Sequence, residues 1–188
     1  MTFKPGSLIE VAAQASAVLE GAGIKVAVVG GSAITSYVPN VYTSKDIDFA
    51  AINGTTRRAF TAALQPLGFS PQGRDFVHPN SQFTLDLVAD TPYVDQRPIT
   101  KFQTLDTRFG PVRVYLFEDA IADRIAAFLH WADSESLDVA ERAIQAHAQK
   151  PSWRRISQTL RKLDSSDPQA ARRLNVALKR LKAAYNCR

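Results

Sequence analysis

The chain has 188 residues, an apolar fraction of 45% and a single cysteine, Cys187. That bounds it to one domain, or a small domain with a helical appendage, and excludes a disulfide framework or a zinc cluster within one chain. The net charge of +5 is uneven: residues 150–188 hold eleven Lys/Arg and two Asp (+9), whereas residues 1–149 hold twelve Lys/Arg and sixteen Asp/Glu (−4).

A basic end on an acidic body has two readings, a surface for a polyanion such as nucleic acid or a solvated helix face. No apolar run reaches membrane-spanning length, and the N-terminus lacks a basic region followed by an apolar stretch and a small-residue cleavage site. A soluble, unprocessed, cytoplasmic chain is the expectation.

In chain order, Leu8, Val11, Ala15, Val18 and Leu19 follow the helical period, with Ser7 as a cap and Gly21 and Gly23 as the stop. Val26-Ala27-Val28-Val29 reads as a buried strand and runs into Gly30-Gly31-Ser32. Residues 33–38 can form a short helix, stopped by Pro39. Residues 45–52 read as a second strand, and Asp46 and Asp48, two apart on it, point the same way. A helix follows, with Thr55 as a possible cap and Phe60, Ala63, Leu64 and Leu67 as its buried stripe. Arg57 and Arg58 sit in its first turn, where surface exposure is the plainer reading and a phosphate contact the alternative.

Residues 69–83 read as a hairpin leading into the strand Phe83-Thr84-Leu85-Asp86-Leu87-Val88, with His78 as a surface or turn residue. Residues 89–103 read as a loop near the active site, and residues 103–116 as a second hairpin. From Glu118 the pattern is helical, with Pro151 and Pro168 separating the later helices and Trp153, Ile156, Leu160 and Leu163, then Leu174, Leu178 and Leu181, as apolar positions. The expected architecture is α+β: a small mixed or antiparallel sheet core over residues 1–117 and a C-terminal helical region over residues 118–188, basic from 150.

Two carboxylates on one strand face repel unless a cation sits between them, and magnesium prefers carboxylate and phosphate oxygens. Glycines before a helix let backbone approach a phosphate. The ordered combination of Gly30-Gly31-Ser32 with Asp46-Ile47-Asp48 resembles the nucleotidyltransferase superfamily of the DNA polymerase β type. The resemblance implies a third carboxylate on a later strand, matched by Asp86, and two magnesium ions held by Asp46, Asp48 and Asp86.

Residues 117–127 are similar to a stretch of the AbiEii/MenT-type nucleotidyltransferase toxins. That likeness puts Arg124 where the family has a lysine facing the triphosphate, Asp138 at a later aspartate position, and Ser44-Lys45-Asp46 at the start of the metal motif. The resemblance spans roughly residues 24–145, and the arginine departs from it in geometry while keeping the charge.

The activity implied is transfer of a nucleotide from a nucleoside triphosphate to an acceptor hydroxyl. Gly30, Gly31 and Ser32 would cradle the phosphates, Asp86 would take the proton, and Arg124 and Lys45 would face the leaving group. RNA, in particular a tRNA 3′ end modified by a toxin with an antitoxin partner, is the expected acceptor. A small polycationic acceptor such as an aminoglycoside is the alternative, given Asp90, Asp95, Asp106, Glu118, Asp119, Asp123, Asp133 and Glu135. A nucleotide- or RNA-binding module without catalysis comes third.

Overall fold

The computed structural model describes residues 2–42 and 44–187; Arg188, one charge of the basic end, lies outside them. The α1 helix (Leu8–Gly21) starts where the Ser7 amide donates to Glu10 Oε2 at 2.9 Å. The β1 strand (Val26–Val28), buried throughout, leads into α2 (Gly30–Tyr37), which begins at the first glycine of the pair. The strand carrying both aspartates is β2 (Asp46–Ala51). The α3 helix (Arg57–Leu64) is capped by Thr56, not by Thr55: Thr56 Oγ1 accepts from the Ala59 amide at 3.2 Å.

Strands β3 (Ser70–Gln72) and β4 (Asp75–Val77) form the expected hairpin, followed by β5 (Thr84–Ala89). Residues 89–103 are not an open loop. They contain a small hairpin of β6 (Tyr93–Val94) and β7 (Arg97–Pro98), turned at Asp95, which has φ 56°. Burial of Val94 and Ile99 and the Arg97–Asp119 ion pair hold it against the helix that follows. Strands β8 (Phe102–Thr107) and β9 (Gly110–Tyr115) form the second predicted hairpin.

Seven strands make one mixed sheet in the order β3-β4-β5-β2-β1-β9-β8. The central pair, β2 and β5, is parallel; β1 runs antiparallel to β2 and parallel to β9. Phe49 of β2 and Phe76 of β4 both meet Phe60 of α3, so that face of the sheet is closed by α3, with α1 packed beside it. The alternate residues, Asp46 and Asp48 among them, point to the other face.

Four helices complete the chain: α4 (Phe117–Trp131), α5 (Ser134–Ala146), α6 (Trp153–Leu160) and α7 (Pro168–Asn186). The last three start on side-chain caps, Asp133, Ser152 and Asp167, each accepting from the amide three residues on. The α4 helix touches α2 and the sheet on one side and α5, α6 and α7 on the other. The predicted positions Ile156, Leu160, Leu163, Leu174 and Leu181 are buried in the same apolar cluster as Val28, Phe49 and Leu85. Among the described residues, no helix is long and apolar enough to cross a membrane.

Candidate active site

The glycine turn and the aspartate strand are tied by backbone. The Val29 amide donates to the Asp48 carbonyl at 2.9 Å, and the Asp48 amide donates to Ser32 Oγ at 3.1 Å. Ser32 Oγ in turn donates to the Val29 carbonyl at 2.7 Å, so this fully buried hydroxyl is used to lock the turn against the strand. Gly30 has φ +61°, and a Cβ there would lie 2.2 Å from Asp48 Oδ2. Only glycine permits both that conformation and that proximity. A Cβ at Gly31 would come within 2.9 Å of the Tyr42 ring. The first amides of α2, from Gly30 to Ser32, lack a carbonyl one turn earlier and sit beside Asp48.

Asp46 is oriented by Ser44, whose buried Oγ donates to Asp46 Oδ1 at 2.7 Å; the Ser44 amide donates to Thr35 Oγ1 of α2 at 3.3 Å. Lys45 between them is exposed. The third acid arrives by register: Asp48 and Asp86 are directly opposed in the parallel β2–β5 pair, as Asp46 is with Thr84. Opposed residues of neighbouring strands project from one face, so Asp46, Asp48 and Asp86 share it. Burial pushes the Asp48 carboxyl up to about 7; Asp46, Asp86 and Asp123 add to the rise and Arg124 opposes it. Burial also raises Asp86 above the usual carboxylate range, against the pull of the Arg74 and Arg57 guanidinium groups.

Arg124 projects from α4 into this face. Its Nη2 pairs with Asp123 Oδ2 at 2.7 Å, and its Nε is buried without a hydrogen-bond partner. Burial works against its charge, but Asp123, Tyr42 and Asp48 outweigh it and hold the guanidinium firmly protonated. Asp138 makes its contacts elsewhere: it pairs with Arg180 of α7 at 2.7 Å, and Arg180 also pairs with Glu141. His78 packs its ring against Phe3 and Phe69 and accepts the Asn80 amide, a turn role as expected.

No protein-family model and no curated protein matches the chain in sequence. In three dimensions it is similar to an antigenic nucleotidyltransferase-like protein from Paracoccidioides brasiliensis, at 14% identity and TM-score 0.52 over 90% of this chain and 92% of that one. The fold is nucleotidyltransferase-like. Two structures of the antibiotic-resistance factor ANT(2'')-Ia, each 16% identical, also overlap. The solution structure has a TM-score of 0.41 over 96% of this chain and 92% of that one. The complex with adenylyl-2''-tobramycin has 0.43 over 92% and 95%. Both scores are too low to add to the fold assignment.

Among the described residues, no three His, Cys, Asp or Glu side chains stand as a ready-made metal cage. The donor chemistry nonetheless fits a hard divalent cation at Asp46 and Asp48. Two neighbouring carboxylates, one of them pushed up to about 7, are the arrangement that a cation would relieve.

Reading the sequence missed four participants on this nucleotidyltransferase-like fold. Arg74, in the β3–β4 turn, places Nε 2.8 Å from Asp86 Oδ2. Asp75 carries the register Phe76↔Leu85 one step further and so stands opposite Asp86. Tyr42 and Asp123 flank Arg124. Asp123 lay in the motif already singled out; Tyr42, Arg74 and Asp75 had no local signal.

Proposed function

We propose that this protein transfers a nucleoside monophosphate from a nucleoside triphosphate to an acceptor hydroxyl. The observation that carries the reading is the opposed pair Asp48 and Asp86, with Asp46 on the same face and a glycine turn against them. Asp46 and Asp48 would hold a magnesium ion, which supplies positive charge to the triphosphate oxygens. The α2 amides from Gly30 to Ser32 face the phosphates as donors, and Arg124 stabilises charge developing on the leaving group. The acceptor oxygen attacks the α-phosphorus. The bond from that phosphorus to the bridging oxygen breaks, and pyrophosphate leaves with the electron pair. Asp86, its proton affinity raised by burial, takes the proton from the hydroxyl.

RNA is the acceptor this reading favours, as for toxins that modify a tRNA 3′ end under the control of an antitoxin. The support is electrostatic. Arg154, Arg161, Lys162, Arg172 and Lys179 are exposed on and between α6 and α7. The acids that a polycationic acceptor would need are largely engaged: Asp95 with His130, Glu118 with Arg155, Asp119 with Arg97, Asp123 with Arg124, and Asp133 as a helix cap. The test is incubation with magnesium, each labelled nucleoside triphosphate in turn, and total RNA or aminoglycoside. Label in RNA is expected, lost in Asp48→Ala. Label in the drug alone would replace RNA as acceptor, and a fully active Asp48→Ala would reject the assignment.

A further inference from the structure

The side chain nearest Asp86 is not a carboxylate or a phosphate ligand but an arginine. Asp86 is 1% exposed, and the Leu87 backbone amide is the hydrogen-bonding group that favours its charged form. Its one close cationic partner is Arg74, Nε to Oδ2 at 2.8 Å, whose side chain is 77% exposed. A buried carboxylate supported by a single backbone amide is stabilised by a positive charge beside it.

The backbone turn that carries Arg74 is braced by a second arginine. Arg57 Nη2 donates to the Gly73 carbonyl at 2.9 Å, and its guanidinium lies over the Phe76 ring at 4.6 Å. The first turn of α3 thus fixes both sides of the β3–β4 turn, and Arg74 sits at its tip. Gly73, at φ +60°, makes that turn tight enough for the next residue to reach inward. Around Asp86, the charge of Asp75 is offset by those of Arg74 and Arg57. Asp46 and Asp48 have only Arg124, which is shared with Asp123.

We propose that Arg74 is the resident cation of the Asp86 half of the site, so that the protein holds a single divalent ion, at Asp46 and Asp48, where the resemblance implies two. This rests on the nucleotidyl-transfer reading and makes that reading specific. A second divalent ion at Asp86 would have to displace the Arg74 guanidinium from Oδ2, or share a carboxylate with it against like-charge repulsion. Arg74 also stands beside the proton-accepting oxygen, on the open rim of the site, where it can orient an incoming acceptor's phosphate.

The test counts ions, not turnover. Manganese is titrated into the full-length protein with a non-hydrolysable nucleoside triphosphate analogue. Calorimetry and electron paramagnetic resonance give the total number of ions bound per chain in the complex, with the analogue held at no more than one per chain. One ion is expected in the unaltered protein and two in Arg74→Gln, with circular dichroism confirming the fold of each. Asp86→Asn, which keeps the shape without the charge, is expected to stay at one. Two ions in the unaltered protein, one in folded Arg74→Gln, or none in Asp86→Asn would each overturn the single-ion site while leaving nucleotidyl transfer standing. No ion in the unaltered protein would overturn both.

Discussion

Asp48 and Asp86, 38 positions apart in the chain, are direct partners across the parallel β2–β5 pair and leave the sheet on the same side. The chemistry proposed for this protein rests on that pairing; the elevated Asp48 carboxyl comes from burial first, then from Asp46, with Asp86 a smaller contributor.

That elevation makes a stability prediction. The folded protein holds the Asp48 proton more tightly than the unfolded chain does. Ionised Asp48 therefore costs stability above about pH 7 and costs nothing below the ordinary carboxylate range near pH 4. In cation-free buffer, Asp48→Asn should be more stable than the parent by about 1–3 kcal/mol at pH 8 and equal to it at low pH. Magnesium at a hundred times its Kd should stabilise the parent at pH 8 by about 2.7 kcal/mol and the variant by much less. Urea unfolding at both pH values, with and without magnesium, checks each arm.

Gly30→Ala should disable the site more than the fold. The added methyl falls on Asp48 Oδ2 and forces a left-handed backbone on alanine. A loss of stability of about 1–3 kcal/mol is expected. Displacement of the carboxylate should lower kcat/KM by at least about 100-fold, the scale on which small misplacements act. A folded Gly30→Ala with parental activity would separate the turn from the chemistry.

Arg124 opposes the rise in the Asp48 carboxyl and faces the proposed leaving group. Arg124→Gln should therefore lower kcat by about 100-fold and move the acidic limb of the pH–rate profile to higher pH. Arg124→Lys restores the charge without the fork that pairs with Asp123, and should recover only part of the rate.

For Asp138 the resemblance and the observed pairing lead to different outcomes. Its partner is the exposed Arg180, so Asp138→Asn should change stability by less than about 1 kcal/mol and leave kcat within a few-fold of the parent. A drop comparable to that of Asp48→Ala would restore it to the reaction.

If RNA is the acceptor, affinity should fall steeply with salt. Replacing Arg154, Lys162 and Lys179 together by glutamine should weaken binding and reduce the log–log salt slope by about 0.7 for each phosphate that is no longer neutralised. Filter binding across a salt series measures it, and an unchanged slope would leave these residues as plain solvated surface.

Much of this arrangement is legible in the amino-acid order. The alternation of Asp46 and Asp48 with Ile47 and Phe49 places both acids on one strand face, and the glycines mark the turn that meets them. What alternation cannot carry is phase between strands: nothing local in Thr84-Leu85-Asp86 says that Asp86 opposes Asp48 rather than Ile47. The β6–β7 hairpin escapes because two-residue strands are too short to show a period. Arg74 escapes because an arginine in a glycine-containing turn reads as solvated, and only the fold brings a buried acid within its reach. Thr56 rather than Thr55 caps α3 because helix starts are uncertain by a residue when two candidates adjoin.

The apolar side of α6 and α7 shares its interior with the sheet through Leu160, Leu174 and Leu181. Cutting the polypeptide before Trp153 would therefore strip cover from hydrophobic surface as well as remove cations. A truncated protein that no longer bound RNA would be reporting its own collapse, and only charge-by-charge substitution on the outer side of these helices separates recognition from integrity.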